Sequence, residues 1–268
     1  MSRSTTELLH DGGPAGPWAN LGLWNDTRYY ADACVALADR VAGAAALARG
    51  QRVLSLACGA GAELLHWVQQ HGVSHALGVE ADPALAAAAR QRVAGAGLVT
   101  TCPVLARPAL AWATQRSVAE GRFDAVLCVD AAYHLSPRTV LFKQMRRLLV
   151  PGGRLAFTDL VFDGPGAPSG LLRGAAALCR VPLADLVPVA ERVHQLQATG
   201  FVDVQHQRLD DEVLGGFARF AQAQQARLGR AAWQPAWARP ALTAALIGPC
   251  RRAGLGYALF SARQPGRS

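Results

Sequence analysis

Three groups of residues in this 268-residue chain have types and spacings suited to chemistry. The first is Val53-Leu-Ser-Leu-Ala-Cys-Gly-Ala-Gly-Ala-Glu63, where a short apolar run gives way to glycines at 59 and 61 and then to helix-forming residues. Such glycines let the backbone approach a ligand closely and turn tightly into a helix N-terminus, whose unpaired N–H groups favour polar or negative partners. The second is Glu80, which closes another apolar run 19 residues after Gly61. A carboxylate placed there can accept hydrogen bonds from both hydroxyls of a ribose, or it can be a solvated loop acid. A dinucleotide fingerprint wants a third glycine three residues beyond Gly61. That position is Leu64, so no close approach of a pyrophosphate is provided.

The third group is Asp130-Ala-Ala-Tyr133-His134. His134 titrates in the physiological range and suits a general base toward a hydroxyl or an acidic carbon. It could equally position a ligand, or be satisfied by a backbone carbonyl in a tight loop. Tyr133, with an ordinary pKa near 10, is better suited to shaping a pocket than to taking a proton. Asp130 and Asp159 each lie at the end of an apolar run; as a pair they could hold magnesium, while a loop hydrogen bond is the plainer reading of Asp159. The six cysteines, at 34, 58, 102, 128, 179 and 250, form no C-x-x-C pair, so no zinc site is expected from them.

These residues need elements to position them. The pattern predicts a helix over 27–48, a strand over 52–57, a helix ending near Gly72 and a strand over 74–80. Asp82-Pro83 then opens a helix as N-cap and first turn. A weaker strand follows over 98–104, then a strand over 123–130, a helix over 137–149 and a strand over 154–162. Strands separated by helices mean βαβ units and a mainly parallel sheet. Residues 163–199 read as a helical insertion broken by Gly and Pro. Two late strands, 201–208 and 257–262, fit badly into a pure βα alternation, so one antiparallel strand is expected near the sheet edge.

Apolar residues make up 51% of the chain and charged residues 17%, a globular composition. The formal charge is +8. It comes almost wholly from scattered arginines, with Lys143 the only lysine, and no basic run marks a nucleic-acid groove. No stretch approaches about 18 uninterrupted apolar residues, so no membrane span is expected. Cysteines in or beside predicted strands suit a reducing compartment. Residues 1–17 lack the apolar core of a signal peptide, and a cytoplasmic protein is expected.

At the level of motifs the chain resembles the class I S-adenosylmethionine-dependent methyltransferases. VLSLACGAGAE at 53–63 resembles their first motif and GVEADP at 78–83 their second. FDAVLCVDAAYHL at 123–135 is similar to their fourth strand and the loop after it. LLVPGGRLAFTDL at 148–160 is similar to the turn and strand that follow, and GYALFSARQP at 256–265 to the final strand. NLGLW at 20–24 resembles the N-x-G-x-W segment of the small-molecule subgroup that includes macrolide-sugar O-methyltransferases and sterol and tocopherol C-methyltransferases.

The resemblance implies an α/β, Rossmann-like three-layer sandwich. Its seven-stranded, mostly parallel sheet would have an antiparallel last strand and a helical cap. Residues 1–50 would form an N-terminal lid segment and helix, 51–163 the cofactor-binding core, 164–200 a cap over the acceptor site, and 201–268 the rest of the sheet with inserted helices. Ala57, Gly59 and Gly61 would line the amino-acid part of S-adenosylmethionine. Glu80 would hold its ribose, Ala81 would lie against its adenine, and Cys128 and Asp130 would border its methionine end. Tyr133 and His134 would face the transferable methyl as the candidate catalytic pair. Trp24, Tyr29, Leu171 and Leu172 would contact the acceptor, a small, lipophilic or aromatic metabolite methylated on oxygen or carbon. Two positions depart from the family pattern. Ser55 stands where the first motif carries an acid, and Ala106-Arg107-Pro108 replaces a Gly-Asp that contacts adenine. Leu160 replaces the Asn that magnesium-dependent relatives carry after their second Asp. D-A-A-Y lacks the paired prolines of amino-group DNA methyltransferases. A non-catalytic ligand-binding protein on this fold and a nicotinamide-dependent oxidoreductase are the competing readings.

Overall fold

The computed structural model describes residues 8–9, 18–117 and 121–266. Its centre is a seven-stranded sheet of β1 (Arg52–Leu56), β2 (His75–Glu80), β3 (Val104–Ala106), β4 (Phe123–Cys128), β5 (Leu149–Phe162), β6 (Val202–Arg208) and β7 (Leu255–Arg263). The order is β3-β2-β1-β4-β5-β7-β6. Strands β1 to β5 pair in parallel, whereas β7 runs antiparallel to both β5 and β6. The late-strand anomaly in the sequence is this insertion of β7.

The strands read as nearly continuous apolar runs because both faces are covered. Alternate residues serve opposite layers. Val53, Ala76 and Leu259 point into one core with helices α1 (Tyr30–Ala44), α2 (Ala62–His71), α3 (Pro83–Gly95), α8 (Gly216–Leu228) and α9 (Pro235–Arg252). Leu54, Leu77 and Phe260 point into the other, with α4 (Ala109–Gln115), α5 (Arg138–Leu148) and α7 (Val189–Ala198). A smaller cluster lies under α6 (Gly170–Leu178), where Leu172 and Ala175 meet Phe162, Leu186 and Cys250.

Three boundaries differ most from expectation. Helix α1 is shorter than 27–48 because its C-terminus closes by a Schellman pattern: Leu47 N–H donates to Ala42 and Ala46 N–H to Gly43, with Ala46 left-handed at φ +48°. Strand β3 begins only at Val104. The segment before it is a turn, with Cys102 N–H on the Leu98 carbonyl, and Pro103 has no N–H to offer the ladder. Strand β5 begins at Leu149 rather than 154, taking in the Pro-Gly-Gly turn. The N-terminus of α3 is as read: the Asp82 carboxylate accepts from the N–H of Ala84 (2.8 Å) and Leu85 (3.3 Å), with Pro83 in the first turn. The insertion over 163–199 divides in two. Its second half, α7, packs on α5 and β6 as a layer helix with Leu196 buried, leaving α6 and the turn Leu183–Asp185 as the irregular part.

Candidate active site

The loop after β1 carries three left-handed residues in five: Ala57 (φ +54°), Gly59 (φ +53°) and Gly61 (φ +78°). The two glycines do different work. A methyl group added at Gly59 would meet nothing within 4 Å, so this backbone faces open space and a ligand can approach it. One added at Gly61 would stand 2.9 Å from the Cβ of Ala89, so Gly61 serves the close docking of α3. Ala57 holds the same backbone region with a side chain, at a cost of about 1–2 kcal/mol. Strain of this kind is retained where surrounding structure fixes a functional loop.

Glu80 ends β2 beside that loop and is 7% exposed. Its carboxylate accepts from Gly59 N–H (2.8 Å) on one oxygen and from Asp82 N–H (2.9 Å) on the other. Each oxygen keeps a second lone pair, enough for a pair of ligand hydroxyls. Ala81, next in the chain, is exposed. The end of β3 lies alongside, with Arg107 N–H on the Glu80 carbonyl (2.8 Å) and the Arg107 guanidinium turned away to Gln115.

The carboxyl absent at position 55 returns from the next element. Ser55 is fully buried, and its hydroxyl donates to Glu63 in the first turn of α2. Burial, reinforced by the charge of Glu80, pushes the Glu63 carboxyl up to about 8 against the pull of the Ser55 bond. The folded chain therefore holds a proton that the unfolded chain releases above its ordinary value near 4.5. Stability conferred by that proton falls as pH rises through the window from about 4.5 to 8. Glu63→Gln, which keeps the acceptor and removes the titration, is expected to flatten this slope. Denaturant unfolding at pH 6 and pH 9 should show the wild type losing about 2 kcal/mol or more relative to the variant. Parallel pH profiles would mean that Glu63 is ionised in the folded chain.

Asp130 joins distant parts of the chain. Its backbone is left-handed (φ +53°), and its N–H donates to Thr158 Oγ1 (2.8 Å). Its Oδ1 accepts from the hydroxyls of Tyr257 on β7 (2.8 Å) and Tyr133 (3.0 Å), and its Oδ2 from Leu21 N–H (2.6 Å). Burial pushes this carboxyl up to about 6, while the three donors pull it back. The N-terminal segment is thus tied to the end of β4. Cys128, by contrast, is buried in the apolar layer with Leu56 and Phe157, which leaves its backbone, not its thiol, for a ligand.

Tyr133 and His134 lie in a short 3-10 turn, Ala132–His134, with their rings 4.5 Å apart. The two are not equivalent. The Tyr133 hydroxyl is committed to Asp130, and burial next to that carboxylate raises its pKa well above 10, so Tyr133 is no base. His134 Nδ1 lies 3.3 Å from the Arg180 carbonyl, which accepts a hydrogen bond from Nδ1–H. That tautomer leaves Nε2 as the acceptor, without a partner among the described residues. Burial, aided by the charges of Arg138 and Arg239, lowers the ring's pKa below 6.5, so it is neutral at pH 7.

The acceptor residues expected from sequence are partly brought together. Trp24 and Tyr29 line one cavity of about 560 Å³, with Phe220, Arg28, Arg219 and Arg227 also in its wall. Trp24 stacks on Phe220 at 4.7 Å and donates from its indole N–H to the carbonyl of Leu21 (2.7 Å), the same residue whose N–H is bonded to Asp130. The α8 residues of this wall had no motif to mark them. Leu172 is placed elsewhere: it is 2% exposed in the small cluster under α6, because the amphipathic helix turns that side inward and leaves Leu171 half exposed on the other.

Asp159 makes no loop hydrogen bond. It is fully buried in the C-terminal third of β5, and both oxygens are held by guanidiniums: Arg138 Nε at 3.0 Å, Arg138 Nη2 at 3.1 Å and Arg192 Nη2 at 3.1 Å. Both arginines are also buried, and they bond onward to the carbonyls of Leu135 and Asp185.

An open glycine loop, an acid closing β2 and a sheet in which β7 enters antiparallel between β5 and β6 define the class I methyltransferase architecture; the doubly wound dehydrogenase sheet has order 3-2-1-4-5-6. Residues 53–153 match the methyltransferase domain family. The chain is 29% identical to erythromycin 3''-O-methyltransferase of Saccharopolyspora erythraea over 218 residues, 76% of this chain and 68% of that one. It is 29% identical over 168 residues to phosphoethanolamine N-methyltransferase 1 of Triticum aestivum, 63% of this chain but only 32% of that longer protein. Its fold is similar to that of the [4+2]-cyclase SpnF, with a TM-score of 0.73 at 22% identity over 94% of this chain and 89% of that one. Residues 53–153 therefore form a methyltransferase domain, and the relatives above support an enzyme of the S-adenosylmethionine-dependent methyltransferase type. Among the described residues, no helix is long and apolar enough to cross a membrane.

Proposed function

We propose that this enzyme transfers the methyl group of S-adenosylmethionine to a hydroxyl of a small secondary metabolite. The supporting observation is the pairing of Gly59 with Glu80: an open backbone turn whose N–H is bonded to a buried carboxylate that retains acceptor capacity. In this reading Glu80 holds the ribose hydroxyls and Ala81 lies against the adenine. Ala57 and Gly59 face the amino-acid part, with Gly61 shaping the turn from behind. Asp130 and the backbone at Cys128 border the methionine end. The sulfonium arrives already activated, so the protein's main task is to align acceptor oxygen, methyl and sulfur. His134 takes the hydroxyl proton on Nε2. Tyr133 fixes Asp130 and presents its ring beside His134.

The acceptor side rests on the cavity of Trp24, Tyr29 and Phe220. Flat aromatic walls suit a lipophilic or ring-bearing acceptor, and the surrounding guanidiniums suit one rich in oxygen. Oxygen is preferred over carbon as the methylated atom because relatives at comparable identity include macrolide and rifamycin O-methyltransferases. Calorimetric titration with S-adenosylmethionine and S-adenosylhomocysteine is expected to show micromolar binding. Glu80→Ala should weaken it by about 1–3 kcal/mol, the loss of hydrogen bonds to a desolvated ribose. Unchanged affinity in the variant would remove Glu80 from the cofactor site. Methyl transfer from labelled cofactor to hydroxylated macrolactones, compared with their O-methylated counterparts, tests the acceptor class.

A further inference from the structure

A second cluster of chemistry-bearing side chains lies away from the methyl-transfer site, between α1 and α2. His66 and His71 project from α2, five residues apart, and both point Nε2 at the same oxygen of Asp39 on α1, at 2.6 and 2.8 Å. The three ligand atoms all lie within 4.8 Å of one another. The histidine side chains are 14% and 26% exposed and that of Asp39 is 44% exposed. The site is therefore walled on one side and open to solvent on the other. It is the only such group of three among the described residues.

Two imidazole nitrogens and one carboxylate oxygen converging on one point, with the second Asp39 oxygen left over, is a donor set that can hold a cation. From zinc–nitrogen bonds of about 2.0–2.1 Å, ligand atoms in a tetrahedral zinc shell stand about 3.3 Å apart. The 2.6 and 2.8 Å separations need to widen by roughly 0.5–0.7 Å to reach that spacing, which the partly exposed Asp39 side chain can supply by rotation. We infer that Asp39, His66 and His71 form a binding site for a divalent transition-metal cation of the zinc type, with solvent completing the shell. Nitrogen-rich donor sets favour zinc, nickel, cobalt or copper over magnesium and calcium, which take oxygen.

Such a cation would clip α1 to α2 and reach beyond them. The Trp18 ring meets the His66 ring edge-on, with centroids 6.1 Å apart. Trp18 opens the continuous described stretch that runs on to the Leu21–Asp130 bond. Metal binding would hold the helix that carries this segment against the helix that begins at the glycine loop. The inference does not depend on the cofactor or acceptor assignment.

The test is Zn²⁺ titration of the untagged, folded protein against a chromophoric chelator, with Co²⁺ absorption as the second readout. One equivalent of Zn²⁺ is expected to bind with micromolar or tighter affinity. His66→Gln, His71→Gln and Asp39→Asn should each weaken binding about tenfold or more, while Mg²⁺ fails to compete. Co²⁺ should give tetrahedral d–d bands without a thiolate charge-transfer band, which separates this site from the cysteines. Affinity unchanged in all three variants, or a thiolate band, would overturn the proposal. So would the absence of stoichiometric binding to folded wild-type protein, leaving the cluster a hydrogen-bonded helix contact.

Discussion

Asp159→Ala is expected to destabilise the protein by about 3–5 kcal/mol, a large part of the whole stability of a domain this size. The carboxylate sits between Arg138 and Arg192, and all three side chains are at most 1% exposed. Removing the anion leaves two buried guanidiniums facing each other on one face of β5, out of reach of solvent screening. The damage should spread beyond the pair. Arg138 caps the carbonyl of Leu135, just after His134, while Arg192 holds the carbonyl of Asp185 in the turn between α6 and α7. Denaturant unfolding of the purified variant measures the loss; a change below about 1 kcal/mol would mean that the guanidiniums find other partners. Replacing all three residues by apolar side chains of similar volume should be far milder, because the desolvation penalty then vanishes with the charges.

His134→Ala is expected to leave the affinity for S-adenosylmethionine unchanged and to lower turnover about 100-fold or more, the usual contribution of a positioned base. Two features of the site sharpen this. The Arg180 carbonyl selects the tautomer with Nε2 free, and the lowered pKa keeps the ring neutral at physiological pH. A base at His134 would thus be competent at neutral pH, and turnover should fall only on acidification through a value below 6.5. Removing the ring should abolish that acid limb along with the rate. A His134→Ala enzyme of full activity would reduce the residue to a packing role; one that kept the acid limb would assign it to Asp130, whose carboxyl sits at about 6.

The convergence of the loop residues proposed to hold the cofactor was legible in the sequence, and much of the wall proposed for the acceptor was not, for a physical reason. Gly59, Glu80 and Asp130 occupy loops at the ends of adjacent parallel strands, so once the βα alternation is read their convergence follows from topology. Asp82-Pro83 announced a helix start because capping is local. Even here, spacing could not separate the two glycines: Gly61 owes its place to Ala89 of another helix. Local sequence also hid the Ser55–Glu63 exchange, although a glutamate in the first turn after a glycine loop was a visible sign. Arg219, Phe220 and Arg227 join Trp24 in one cavity wall through the packing of α8 on the N-terminal segment, and no periodicity announces such a meeting. Asp159 read as a strand-end acid because the two arginines that claim it lie on α5 and α7. Leu172 was lost to the same effect: a short amphipathic helix has two faces, and its neighbours decide which is buried.

The placement of β7 also says something about how the chain is made. Among the described residues strand β6 bonds only to β7, and β7 fills the gap that separates β6 from β5. During synthesis β5 and β6 therefore both emerge before their shared partner. Until residues 255–263 leave the ribosome, one edge of the growing sheet stays open and β6 has nothing to pair with. Tyr257 arrives in the same stretch, so the knot of hydrogen bonds at Asp130 that tethers Leu21 is completed by some of the last-made residues of the sheet. A nascent chain stalled short of β7 would present a bare strand edge and a loose N-terminal segment together, a state open to misassembly and suited to capture by chaperones.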